Sequence, residues 1–155
     1  MSKNKIDLVV SISIFKDEKV LMIKENKSPI VNKWNFPGGR IEPRENILLA
    51  ALREVKEETG FDIKLNKTTG VYNFISSTNQ QVILHHFTAE VVGGELCLQE
   101  KGIIDSKWIK VEEILKYDKQ ELREAHVIKP MVRNLLDENI FPISIYNDQL
   151  GEYNF

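Results

Sequence analysis

Arg53, Glu54, Glu57 and Glu58 crowd into six residues of this 155-residue chain, and they are its most informative stretch. On a helix turning ~100° per residue, with Glu54 set at zero, Glu57 falls near −60° and Glu58 near +40°, so three carboxylates share an arc about 100° wide. Arg53, four residues before Glu57, lies within reach of it, whereas Lys56 points to the far side. The small Ala50, one turn before Glu54, leaves room above the acidic face. Like charges one turn apart, as at Glu54 and Glu58, cost roughly 0.2–0.5 kcal/mol, and more when desolvated. A bound cation relieves that cost. Ligands that are all oxygen select hard cations, and Mg²⁺ is usually held by a few carboxylates completed by water and phosphate oxygens. A bare acidic run of this kind is more often a solvated helix face, so the residues around it must decide.

The acidic face needs a helix, and residues 43–59 supply the period. Leu48, Leu52, Val55 and Thr59 fall on one side, Pro43 and Glu45 suit the first turn, and Gly60 suits the stop. A second helix is expected over 120–136, with Leu122, Val127, Met131 and Leu135 as its apolar stripe and a kink or break at Pro130. Alternation over 6–15 marks a strand, and others are expected at 20–24, 71–75, 82–91, 95–98 and 107–111. Residues 26–33 are polar, contain Pro29 and read as a loop, and Gly93-Gly94 reads as a two-residue hairpin. Strands, a helix, more strands and a last helix predict an α/β or α+β sandwich with a mixed sheet covered by helices. No repeat or linker-like stretch divides the chain, so residues 1–155 are expected to form one domain. The aromatic-rich 140–155 has no regular period; an added strand, a dimer contact, a lid and a plain tail all remain open.

The wider spacing lifts the acidic run out of the ordinary. Gly39, Glu45, Arg53, Glu54, an apolar Val55, Glu57, Glu58, Gly60 and an apolar Phe61 fill G-x5-E-x7-R-E-U-x-E-E-x-G-U without a gap, U being apolar. Seven named residues at about one-in-fifteen frequency match by chance on the order of 10⁻⁸ per start position. This stretch resembles the signature of the Nudix hydrolases, and the preceding Trp34-Asn35-Phe36-Pro37-Gly38 is similar to that family's approach to it.

The resemblance implies an α/β/α sandwich in which a loop–helix–loop holds divalent metal, Mg²⁺ or Mn²⁺, against a diphosphate. The implied reaction is hydrolysis of a nucleoside diphosphate linked to another moiety. It further implies Glu54, Glu57 and Glu58 as metal ligands together with the Gly39 backbone, Arg53 as their organiser, and Glu45 as a partner of Arg53 or a water-mediated ligand. Gly38 and Gly39 would let the backbone turn sharply and approach cation or phosphate. The general base is Glu54 in some relatives and a glutamate on a later loop in others, for which Glu100 stands nearest here. Trp34 and Phe36 flank a nucleobase or pack the core. Subfamily marks downstream are mostly absent: Ser76 stands where ADP-ribose hydrolases often have proline, and Ser77 and Thr78 where diadenosine-polyphosphate hydrolases often have tyrosine. The expected substrate is therefore a nucleoside di- or triphosphate, oxidised ones included. Sugar nucleotides, dinucleotides and capped RNA ends are alternatives, as is a non-catalytic nucleotide-sensing domain.

Composition agrees. The chain has 21 Lys+Arg against 23 Asp+Glu, with 42% hydrophobic and 28% charged residues, an ordinary globular balance that excludes whole-chain disorder and argues against general nucleic-acid binding. No apolar run approaches the ~20 residues of a membrane helix, and a single cysteine, Cys97, makes a reducing cytoplasm the expected compartment. Cys97 itself is expected in the core or an interface. His85 and His86, adjacent on a strand, must point to opposite faces and cannot grip one metal together.

Overall fold

The computed structural model describes residues 5–147. The elements run β1 (Ile6–Lys16), β2 (Lys19–Lys27), β3 (Ile30–Asn35), β4 (Gly38–Arg40), α1 (Ile47–Thr59), β5 (Phe61–Ile75), β6 (Gln81–Gly94), β7 (Ile103–Lys110), a 3-10 turn at Val111–Lys116, α2 (Ala125–Leu136) and β8 (Phe141–Pro142). Eight strands join in one sheet along the order β3-β2-β1-β6-β5-β8, with β4 paired to β1 and β7 to β2. The sheet is mixed: β1 and β6 run parallel from Ile6 opposite Gln81 to Phe15 opposite Glu90, and the neighbouring pairs are antiparallel.

Two hydrophobic clusters lie on the two faces of this sheet. One packs Val10, Ile12, Ile14, Leu21 and Phe87 against Ala50, Ala51 and Val55 of α1. The other packs Val20, Met22, Phe36, Val82 and Leu84 against Val127, Ile128, Met131 and Val132 of α2. The expected sandwich, a mixed sheet between helices, is therefore present. Among the described residues no helix is long and apolar enough to cross a membrane.

Several expected boundaries move, each for a local reason. Helix α1 starts at Ile47 rather than Pro43, because Arg44 sits at φ 67 and Asn46 caps the helix. The Asn46 side chain accepts from the N–H groups of Leu48 and Leu49 (2.8 and 3.2 Å), two donors a helix start leaves unpaired. Gly60 ends α1 as expected, at φ 81, and a Cβ there would strike the Glu95 carbonyl. Residues 26–33 are mostly strand, the ends of β2 and β3 around a short turn. Strand β5 begins at Phe61, far before 71, and shifts of register near Ile63, Lys67 and Gly70 hide its alternation.

The expected hairpin at Gly93-Gly94 and the strand at 95–98 are absent. Those glycines end the β5–β6 ladder opposite Asp62 and Phe61, and the chain then passes the C-terminal end of α1, where the Cys97 N–H donates to the Thr59 carbonyl. Cys97 is exposed, not a core residue. Helix α2 starts at Ala125, because Glu124 lies in the left-handed region (φ 54, ψ 55), and Leu122 instead bridges to Trp34. Of the expected kink or break at Pro130 the break is absent, since the helix is continuous through that residue. A proline inside a helix costs about 3 kcal/mol, and the four buried side chains of α2, at roughly 1.5–3 kcal/mol each, outweigh it. At the C-terminal end, β8 is a short added strand on β5, and Tyr146 stacks edge-on against His85 and Phe87. The rest of the 140–155 expectation, from residue 148 on, lies outside the described residues.

Candidate active site

The two glycines before α1 and the carboxylates on it meet face to face. Strand β4 pairs Gly39 with Val10 and Gly38 with Ser11 of β1, while α1 packs across the same strands. The Gly38 N–H donates to Glu58 Oε1 at 2.7 Å. A Cβ on Gly39 would collide with the Glu54 carboxylate. Both glycines thus serve close approach within a strand, not the sharp turn expected of them.

Arg53 organises the other side. Its Nε and Nη2 donate to the two oxygens of Glu45 (2.7 and 2.9 Å), a two-pronged pair in which the planar guanidinium matches the carboxylate. Its Nη1 donates to Glu54 Oε1 (3.0 Å) and to Glu57 (3.2 and 3.3 Å), and Nη2 also reaches the Arg40 carbonyl (3.0 Å). The Arg53 bond holds Glu45 below the usual carboxylate range, and Glu45 in turn raises Arg53 further above its own.

Glu54 and Glu58 behave oppositely to Glu45. Burial pushes Glu54 up, opposed by Arg53. Burial pushes Glu58 up to about 9, opposed by the Gly38 N–H and reinforced by the negative charges of Glu25, Glu54 and Glu100. Two desolvated carboxyls one turn apart, Glu58 without a cationic side-chain partner among the described residues, resist ionising together, and a bound cation would relieve that cost. Hard oxygen donors of this kind suit a divalent cation. Among the described residues no three acidic, histidine or cysteine side chains converge on one point, so a cation at this place would draw most of its ligands from water and phosphate oxygens, the usual habit of Mg²⁺.

The other sequence candidates separate. Glu57 turns toward Arg53 and stays half-exposed. Glu100 is exposed, yet its charge is felt at both Glu54 and Glu58. His86 is fully buried between the hydroxyls of Ser13 (2.7 Å) and Ser11 (2.9 Å), and burial lowers it to about 3. His85, on the opposite face, pairs with the Tyr146 hydroxyl at 2.6 Å.

On the far side of Gly38 and Gly39 a cavity of about 200 Å³ lies between sheet and α2. Val9, Val82 and Leu84 wall it from the sheet, Val127, Ile128 and Met131 from the helix, and Phe36 lines it while Trp34 does not. Trp34 instead carries Lys107 Nζ over its ring at 4.4 Å and Lys24 Nζ at 5.6 Å. A larger outer cleft of about 600 Å³ adjoins, with Lys33, Lys119 and Arg123 on its walls. Four polar residues here escaped sequence reasoning: Glu25, Asn35, Arg123 and Glu124. Glu25 takes the Arg123 Nη1 at 2.6 Å and the Asn35 side-chain N–H at 2.9 Å, joining segments 98 and 10 residues away. No local pattern announces such pairs.

The NUDIX domain matches residues 5–133. The ADP-ribose pyrophosphatase of Methanocaldococcus jannaschii is 33% identical over 121 residues, 77% of this chain and 69% of that protein. The 8-oxo-dGDP phosphatase of Mus musculus is 42% identical over 60 residues, covering 39% of this chain but only 19% of its own length. Among solved structures, a NUDIX hydrolase from Nitrosomonas europaea superposes with a TM-score of 0.81 at 27% identity, over 92% of this chain and 97% of that one.

Proposed function

Since the chain belongs to the Nudix hydrolase family, we propose that it hydrolyses the diphosphate linkage of a nucleoside diphosphate derivative, a nucleoside di- or triphosphate above all, with Mg²⁺ or Mn²⁺. The observation that carries this reading is the placement of Gly38 and Gly39, with desolvated Glu54 and Glu58 on one side and an apolar cavity on the other. A nucleotide has that shape: an anhydride to be met by oxygens and cation, and a planar apolar ring to be buried.

Glu54 and Glu58 hold the cation, Glu57 adds a carboxylate at the rim, and the backbone of Gly38 and Gly39 lets phosphate come close. A divalent cation supplies charge neutralisation of the diphosphate and a lowered pKa for water. Arg53 fixes Glu54 and Glu57 in place through its Glu45 anchor. Glu54 or Glu100 takes the proton of the attacking water; substituting each by Gln and following kcat against pH distinguishes them. Phe36 lines the base cavity.

A second reading has specific support. The outer cleft, with its Lys33 and Lys119, continues the cavity and would take the second half of a dinucleotide-like substrate, and one relative is named an ADP-ribose pyrophosphatase. The test is a panel of nucleoside di- and triphosphates, sugar nucleotides and ADP-ribose with Mg²⁺, with products identified as phosphate, pyrophosphate or nucleoside monophosphate. Turnover of the triphosphates with Glu58→Gln inactive supports the first reading. Turnover confined to ADP-ribose or dinucleotides supports the second, and binding without turnover of any substrate refutes both.

A further inference from the structure

Strand β5 leaves one edge open. Its inner edge pairs with β6 from Phe61 to Ile75, while on the outer edge β8 meets only Lys67 and Thr68. From Val71 to Ile75 no strand lies on the outer side among the described residues. Such an edge carries a row of unpaired N–H and C=O groups, which proteins blunt with charge, proline or a covering segment. The other edges of this sheet are blunted. Strand β7 carries Asp105, Lys107 and Lys110, and on β3 the Trp34 N–H and carbonyl are taken by the backbone of Glu121 and Arg123. The open part of β5 has no such protection, for neither charge nor proline occurs from Thr68 to Leu84. Its outward side chains are apolar as well: Val71 and Ile75 are 57% and 56% exposed. Tyr72 and Phe74, on the other face, are held by α2 through Asn134 and His126, so the strand is already fixed in its extended form.

We propose that this edge is an interface with a second copy of the chain, in which two β5 strands pair antiparallel about a two-fold axis through Asn73 and join the two sheets into one. The order of residues selects both the occupant and the register. Val71-Tyr72-Asn73-Phe74-Ile75 reads alike in both directions about its centre: β-branched, aromatic, amide, aromatic, β-branched. An antiparallel neighbour centred there sets Val71 against the partner's Ile75, Tyr72 against the partner's Phe74, and Asn73 against the partner's Asn73. Aromatic and β-branched pairs are the favourable cross-strand neighbours, and a slip by one residue turns apolar side chains to the wrong face. A two-fold pairing uses the open edge of both copies and so closes at two, whereas a head-to-tail contact would continue into a fibre. A pairing of five residues buries less than the ~800 Å² per partner of a standard interface, so the dimer should be reversible and depend on concentration.

Sedimentation of the full chain from about 1 to 500 μM should show the mass rise from one chain to two, across the range where a modest interface associates. Val71→Lys, a charge of the kind that protects natural edges, should leave one chain at every concentration. Adding Ile75→Glu to the same chain sets the two new charges opposite each other across the axis and should restore the dimer. Cysteine cross-linking, in a Cys97→Ser background, reads the register without adding charge and decides the matter if a charged variant does not fold. Asn73→Cys should form an intermolecular disulfide under mild oxidation, because directly opposed residues lie ~4.5–5.5 Å apart between Cα atoms. Val71→Cys should not, since its two copies are offset by four residues, or ~13 Å. A single-chain mass for wild type throughout overturns the proposal. So does a dimer that Val71→Lys leaves intact, one that Ile75→Glu does not restore, or equal cross-linking at Val71 and Asn73. None of these outcomes touches the hydrolase reading, which rests on the other side of the fold.

Discussion

Replacing the ionisable carboxyl of Glu58 by a neutral amide should stabilise the metal-free protein at neutral pH. The folded state raises this carboxyl from 4.5 to about 9, chiefly by burial. A carboxyl whose folded pKa lies above its unfolded value keeps its proton in the fold while the unfolded chain has released it. The folded state therefore binds more protons between pH 4.5 and 9, and stability falls as pH rises through that window. At pH 7 the gap is about 2.5 pH units above the unfolded value, or roughly 3 kcal/mol at most. Glu58 keeps part of its surface in solvent, so about 1–3 kcal/mol is expected. Glu58→Gln is neutral and of nearly the same shape, and its amide oxygen can still accept the Gly38 N–H. In EDTA the variant should match wild type near pH 5 and melt roughly 3–10 °C higher near pH 7. Added Mg²⁺ should raise the wild type by RT ln(1 + [L]/Kd) and leave the variant almost unmoved and inactive. Melting series at several pH values, with EDTA and with Mg²⁺, read all of this. If Glu58→Gln melts below wild type in EDTA at neutral pH, Glu58 is a structural residue and the reasoning fails.

Arg53→Lys should lose at least about tenfold in kcat, since an ammonium cannot hold both oxygens of Glu45 while reaching Glu54 and Glu57; a wild-type kcat would reduce Arg53 to a surface partner. EDTA-treated protein should be inactive until Mg²⁺ or Mn²⁺ is added, and excess Ca²⁺ should inhibit, because its longer and looser coordination misplaces phosphate and water; full turnover without added metal would contradict this. Acidification should destabilise the fold through His86, whose folded pKa of about 3 lies below the unfolded 6.5. The unfolded chain binds the extra proton between those values, so stability declines as pH falls from about 6.5 toward 3, by up to ~1.4 kcal/mol per unit. Denaturation of wild type and His86→Gln across this range should show the shallower acid slope in the variant.

The local half of this site is legible in the order of its residues. The order Arg53, Glu54, Glu57, Glu58 on one helix, the stop at Gly60 and the glycine pair ahead of it were all legible, because helical period and capping depend on neighbours within a few residues. The alternation of β1 was legible for the same reason, as was the division of His85 and His86 between opposite faces. Packing between elements, by contrast, assigns each carboxylate its partner. Glu54 and Glu58 share one helix face in the sequence with Glu57, but burial against Gly38 and Gly39 desolvates the first two, while Glu57 is left at the edge with Arg53. Glu45, outside the helix rather than in its first turn, became the anchor of Arg53 because the left-handed Arg44 and the Asn46 cap ended the helix short of it. The cavity is wholly tertiary. Glu25 meets Arg123 across 98 residues and Glu124 meets Ser77 across 47, and those meetings depend on strand register and the bulges that shift it. Periodicity carries the direction of a side chain on its own element, and a contact between elements is fixed only when their registers and packing are.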